Sequence, residues 1–265
     1  MLANFAIGLR EGLEAALVVG ILVAYLKKQN RQQDVRRVAI GVFAAILVSL
    51  LVGLSLTFLT ADAEDGASKF IAGVASLVAV VFVTWMIFWM AKHSRSLPSE
   101  MHNKLEKTTS GLAVAGIAFF AVVREGVETS IFLWSATNAA EQGWISILGA
   151  LLGLITATVI GYGIYRGSLK LNLRTFFAVT SGFLIIVAAG IFAYGIHEFE
   201  ELGWFPFLQG ITYDVSGIIP KDSAIDILLR GTISFRSAPT HLQTLVWFLY
   251  LIPVSIVFYL RTRRK

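Results

Sequence analysis

Arg10-Glu11-Gly12-Leu13-Glu14 and Arg124-Glu125-Gly126-Val127-Glu128 are one charged string written twice, 114 residues apart, each inside a stretch that is otherwise almost wholly apolar. On a helix, residues three and four apart share a face, so Glu11 and Glu14 project together and Arg10 reaches Glu14 across one turn. Arg124, Glu125 and Glu128 repeat that arrangement. With all six groups ionised, four carboxylates against two guanidiniums leave a net charge of −2. A multivalent cation neutralises that excess far better than a neutral or anionic solute. Oxygen-only donors favour hard ions such as magnesium, calcium, manganese or ferric iron, and the absence of cysteine argues against copper(I). Two other uses stay open: each arginine locks one helix to the other through its own glutamates, or the buried carboxylates relay protons. The lock explains one glutamate per arginine better than two, and leaves the recurrence of the string unexplained.

The elements that position these groups are membrane helices. The chain has 265 residues, 56% hydrophobic and only 15% charged, far more apolar than a soluble domain of that length. A hydrocarbon core of about 30 Å needs about 20 apolar residues. Seven runs meet that requirement, near 2–26, 38–60, 70–91, 111–135, 144–165, 175–196 and 244–260. Only the first and fourth carry the charged string. A charge at mid-membrane costs about 2.5–3.5 kcal/mol, so six such groups imply a use. The first run lacks a basic leader and a small-residue cleavage site and contains the string, so it reads as a retained helix rather than a signal peptide.

Basic residues report orientation here rather than a nucleic-acid partner. Segments 27–37, 92–110, 166–174 and 261–265 hold 16 of the 22 Lys and Arg residues, while the alternate connections hold Lys69, Lys221, Arg230 and Arg236. The positive-inside rule puts the N-terminus outside and the C-terminus in the cytoplasm. Each string opens a set of three runs. Three is odd, so the two sets have opposite orientation, an all-α inverted repeat of three plus three with a seventh helix outside it. The corresponding segments of this single membrane domain are 1–110 and 111–196 for the repeats, 197–243 for an external loop, and 244–265 for the last helix and basic tail. Running antiparallel, the first and fourth helices bring the carboxylates towards the pseudo-two-fold axis at mid-membrane.

Without cysteine, disulfides, zinc–cysteine sites and iron–sulfur clusters are excluded. His93, His102, His197 and His241 lie at or beyond run ends, a poor basis for a haem or blue-copper centre, so no permanently bound cofactor is expected and any redox step falls to another protein. The 197–243 loop contains His197, Glu198, Glu200, Glu201, Asp214, Asp222 and Asp226; Asp62, Glu64 and Asp65 form a second acidic group that reads as a solvated turn. Residues 224–230 are amphipathic and are expected on the outer surface, as an interfacial helix or a docking patch. The six tryptophans fall mostly near run ends, where an aromatic belt places them.

At these residues the chain resembles the ferroxidase-linked iron permease family, which includes fungal high-affinity and bacterial elemental-iron uptake permeases. The resemblance runs almost end to end. It rests on both charged strings, on Thr84-Trp85-Met86-Ile87-Phe88-Trp89-Met90 and on Glu201-Leu202-Gly203-Trp204. It implies a seven-helix, multi-pass permease of the cytoplasmic membrane, not an enzyme, whose cargo is iron carried by Glu11, Glu14, Glu125 and Glu128, with Arg10 and Arg124 as charge partners. It also implies an external oxidase or peroxidase that hands over ferric iron. The family's external Glu-x-x-Glu motif matches Glu198 and Glu201, which with His197 form a candidate outer site for incoming iron. Partners are thus the iron ion, membrane lipid and the oxidase, with homo-oligomerisation left open. Two alternatives remain: a proton-coupled transporter of manganese or magnesium, and an intramembrane hydrolase using a carboxylate pair, against which stands the absence of HExxH and GxSxG motifs.

Overall fold

The computed structural model describes residues 1–61, 64–93, 110–140, 143–169, 171–220, 223–233 and 235–263. Within them lie eight helices: α1 (Leu2–Lys28), α2 (Gln32–Ala61), α3 (Asp65–His93), α4 (Gly111–Ala140), α5 (Gly143–Tyr165), α6 (Leu173–Glu201), α7 (Ala224–Ile233) and α8 (His241–Arg263). Five of them, α2, α3, α5, α6 and α8, are long and apolar enough to cross a membrane. The 27-residue α1 and 30-residue α4 are as long and carry the charged strings at their centres. Apolar side chains face outwards in a way that water would not permit: Phe43 is 63% exposed, Leu51 62% and Phe58 64% along one side of α2 alone. That surface belongs in hydrocarbon.

Small residues decide which helices meet. α1 lies along α5, with Gly8 against Ala150, Gly12 against Leu154 and Ala157, and Ala16 against Gly161, so the two run parallel. A Cβ at Gly8 would sit 2.6 Å from the Ala150 carbonyl oxygen, a backbone atom that cannot move aside. The four-residue stripe of Gly8, Gly12, Ala16 and Gly20 thus serves close packing, its partner being α5. α2 lies parallel to α4 through Gly41 against Ala115 and Gly53 against Ser130. α3 and α6 run antiparallel, Gly66 meeting Leu202 and Gly195 meeting Ser76. α1 and α2 are joined by three residues that include Asn30 at φ 56°, which reverses the chain and sets α4 antiparallel to α1.

Two apolar clusters hold the bundle. One gathers Ile7, Val83, Met86, Ile87, Phe132, Leu184, Ile185 and Ile191 from α1, α3, α4 and α6, with side chains of α8 such as Tyr250 and Val254 against it. The other joins Leu22, Tyr25, Leu26, Val38, Val114 and Ala118 at the opposite end of α1.

Two expectations change. The sixth helix runs on to Glu201, past the end of the apolar run at 196, so His197, Glu198, Glu200 and Glu201 belong to a helix rather than to a loop. The polar residues that end the hydrophobic pattern do not end the helix, because they are paired. The amphipathic segment near 224–230 turns its polar face inwards: α7 packs against α1, α4 and α6 with Asp226 and Arg230 buried, while Ile225 stays 59% exposed. Its polar face can be covered because those two side chains, one turn apart, form an ion pair.

Candidate functional site: a carboxylate cluster between α1 and α4

α1 turns its charged face inwards. Arg10 is 0% exposed, Glu11 1% and Glu14 7%. α4 crosses α1 at this level and contributes Glu125, half-buried, and Glu128, buried. One carboxylate oxygen from each of Glu11, Glu14 and Glu125 can be chosen so that all lie within 4.8 Å of one another, the spacing of ligands around one ion. Among the described residues no other set of three His, Asp or Glu side chains does this.

The expected convergence therefore holds for three of the four glutamates. Glu128 stands beside the group, its Oε1 accepting from Arg124 Nε at 3.0 Å. Arg10 Nε lies 3.2 Å from Glu14 Oε1, an ion pair not aligned as a hydrogen bond. Both oxygens of Glu11, Oε2 of Glu128 and all three guanidinium nitrogens of Arg10 are buried without a hydrogen-bond partner. Buried polar atoms are nearly always satisfied, so a set of orphans at one spot marks a place built for something else. At an effective dielectric of about 20, two carboxylates 4.8 Å apart repel by about 3 kcal/mol. Three of them stay together only with positive charge or protons among them, and Arg10 pairs directly with Glu14 alone.

Neighbouring hydroxyls point their protons at backbone carbonyls. Ser49 donates to Ala45 O, Thr129 to Glu125 O at 2.6 Å, and Ser130 to both Gly126 O and Ser49 O, the last tying α4 to α2. Gly126 lets α2 come this close, since a Cβ there would strike Ser49 Oγ. The anionic donors brought together are the carboxylates of Glu11, Glu14 and Glu125. Beside it a cavity of about 720 Å³ lies between α1, α2, α4 and α5, with Glu11 and Glu125 in its wall and Tyr162 and Tyr165 at its far end.

The two strings are not equivalent. Arg10 is fully buried beside Glu14, whereas Arg124 is 39% exposed and its guanidinium lies over two indoles of α3, 5.1 Å from Trp85 and 5.2 Å from Trp89. These tryptophans are more than interfacial anchors: spaced one turn apart, they hold the second arginine in place. The spacing of Trp85 and Trp89 was the available signal, but only tertiary packing of α3 on α4 reveals its use.

The candidate outer residues stand on the last turn of α6. His197, Glu198 and Glu201 line a second cavity of about 370 Å³, with Tyr194, Arg236 and Thr137. Glu201 is ion-paired with Lys69 Nζ at 3.0 Å and lies 3.1 Å from His197 Nε2, while Lys69 also holds Asp65 at 2.7 Å. Glu200 is buried and accepts from Thr240 Oγ1 at 2.9 Å and Gln243 Nε2 at 2.8 Å, fastening α6 to the start of α8. Gln243 Nε2 also lies 2.8 Å from His197 Nδ1. Sequence reasoning missed Asn4, buried two turns before Glu11 on the same face of α1, whose Nδ2 donates to Thr137 Oγ1 at 2.8 Å. Thr137 belongs to the wall of the second cavity, so the Asn4–Thr137 bond stands between that cavity and the carboxylates. Asp62, His102 and Asp222 and the side chain of His93 lie outside the described residues.

A helical bundle with an apolar exterior and a buried carboxylate cluster defines a multi-pass membrane protein with an internal cation-type site. A sequence profile of the iron permease FTR1 family matches residues 1–263. The chain is 37% identical to the ferrous iron permease EfeU of Escherichia coli O6:K15:H31 (strain 536 / UPEC), covering 99% of this chain and 97% of that protein. It is equally 37% identical to the ferrous iron permease EfeU of Shigella sonnei (strain Ss046), and 36% identical to that of Yersinia pestis over 99% of this chain and 95% of the relative. No solved structure matches. The chain belongs to the iron permease FTR1 family.

Proposed function

We propose that this protein carries iron across the cytoplasmic membrane through the cluster of Glu11, Glu14 and Glu125, with Glu128 and the two arginines adjusting its charge. The observation that carries the proposal is the approach of Glu11, Glu14 and Glu125 to ligand distance of one another, with both Glu11 oxygens buried and without a hydrogen-bond partner. Iron is the cargo rather than a resident cofactor. Membership of a family of permeases makes this a transporter, not an enzyme, and favours iron over manganese or magnesium.

The architecture we propose is seven spans, N-terminus outside and C-terminus cytoplasmic, as repeats 1–110 and 111–196 followed by the external 197–243 and the last helix with its tail. Helix pairing supports it: exchanging α1 with α4, α2 with α5 and α3 with α6 turns the parallel α1–α5 pair into α4–α2 and maps the antiparallel α3–α6 pair onto itself. Iron enters past Glu198, Glu201 and His197, passes Asn4–Thr137 and reaches the cluster, from which the larger cavity leads towards Tyr162 and Tyr165.

A donor set of carboxylates with surplus negative charge favours the ferric ion, supplied by an oxidase or peroxidase on the outer side. The relatives' names specify ferrous iron, which makes that ion the second reading. Radioactive iron uptake into proteoliposomes, run with ascorbate or with a ferric chelate, separates the two. In the same assay Glu11→Gln and Glu125→Gln, which keep size and hydrogen bonding, lower uptake at least about tenfold, the equivalent of about 1.4 kcal/mol. Wild-type uptake by either variant, correctly inserted, overturns the proposal.

A further inference from the structure

At the end of the bundle that carries the basic tail, a separate cavity of about 320 Å³ opens between the end of α3, the start of α6 and the last turns of α8. That volume lies at the lower limit of small-molecule sites, about 300–1,000 Å³. Its wall holds two arginines, Arg174 and Arg261, with Asn172 and Thr175 beside them, and no acidic residue among those described. The arginines approach from opposite sides and both are positioned: Arg174 Nη2 donates to Thr262 O at 3.4 Å, and the Arg261 guanidinium lies 5.1 Å from the Phe88 ring centre. Asn172 caps α6, accepting from Thr175 N at 3.3 Å, so the positive end of that helix adds to the same field. Phe177 and Phe258 form an apolar floor, and Val179, 68% exposed in the same wall, opens the cavity sideways towards hydrocarbon.

We infer that this cavity binds the phosphate of an anionic membrane lipid, its first chain carbons lying on the phenylalanines. Two cations with no carboxylate among the described lining residues favour an anion. A site at the level of the terminal arginines, open laterally beside an apolar floor, suits a headgroup that stays attached to its acyl chains. Free phosphate has the same charge but nothing to place against Phe177, Phe258 and Val179. The lipid would staple α8, which lies outside the proposed repeat, to α3 and α6. The inference is independent of what crosses the membrane.

The test is thermal unfolding of the purified protein in detergent with added phosphatidylglycerol, phosphatidylcholine or inorganic phosphate. The wild type is expected to gain about 3 °C or more with phosphatidylglycerol alone. Arg174→Gln/Arg261→Gln loses that gain, and Arg174→Lys/Arg261→Lys, which keeps the charge, retains most of it. Native mass spectrometry gives a second readout: wild type keeps a bound anionic lipid that the Gln variant releases, and should the double Gln variant not be recovered, Arg174→Gln alone serves. An equal gain with inorganic phosphate, or an unchanged response in the Gln variant, overturns the inference. Iron uptake by Glu11→Gln is unaffected by either result, so the two readings fail separately.

Discussion

At the scale of single residues, the two arginines of the repeated string have different surroundings and therefore different consequences when removed. Arg10 is fully buried beside Glu14. Its replacement by Gln leaves a buried carboxylate without its counter-charge, a change worth about 3–5 kcal/mol. Arg124 is only partly buried, and the Trp85 and Trp89 rings hold its guanidinium beside Glu128. Arg10→Gln is therefore expected to lower the thermal midpoint in detergent much more than Arg124→Gln; equal losses would contradict the burial difference. Trp85→Leu/Trp89→Leu removes the aromatic support from Arg124 without touching a carboxylate. It is expected to reduce iron uptake several-fold, while Trp85→Phe/Trp89→Phe, which keeps the rings, retains most of it. The glutamates were legible in the sequence because charge inside an apolar run has no ordinary explanation. That Glu11, Glu14 and Glu125 converge while Glu128 stays with Arg124 was not, since it depends on the rotation of α4 against α1.

Among the elements, close packing of α1 on α5 positions the first string, and it rests on residues without side chains. Gly8→Val places methyl groups against the Ala150 carbonyl oxygen and is expected to destabilise by about 1–3 kcal/mol, read as loss of thermal midpoint. Gly116→Ala, at a helical position with nothing within 4 Å of the added Cβ, is the control and should be neutral or mildly stabilising. The four-residue stripe announced a close contact; its partner could not be read from α1 alone, because the matching Gly149, Gly153 and Gly161 sit far along the chain. Helix ends were read less well than helix middles. α6 continues through His197 and Glu201 because Lys69, Thr240 and Gln243 satisfy its polar end, and those partners come from α3, α8 and the residue before it. α7 turns its polar face inwards for a similar reason, Asp226 and Arg230 pairing with each other.

For the whole molecule, the alternation of basic and basic-poor connections argues for one orientation, and the natural absence of cysteine makes it testable without background. A single Cys at Asn30 or Ser168 is expected to resist a membrane-impermeant maleimide in intact cells, and one at Gln209 or Thr212 to react. The reverse pattern would invert the proposed topology. The inverted plan was legible because the same string recurs after an odd number of apolar runs. The exchange of helix partners that supports it needed coordinates.

The most direct measurement is an anomalous-scattering map at the iron edge from crystals of iron-loaded protein. The account predicts a peak among the carboxylates of Glu11, Glu14 and Glu125 that disappears in Glu11→Gln. Iron bound only at Glu198 and Glu201, or a map in which Arg10 fills the space among those carboxylates whatever the iron concentration, would contradict it.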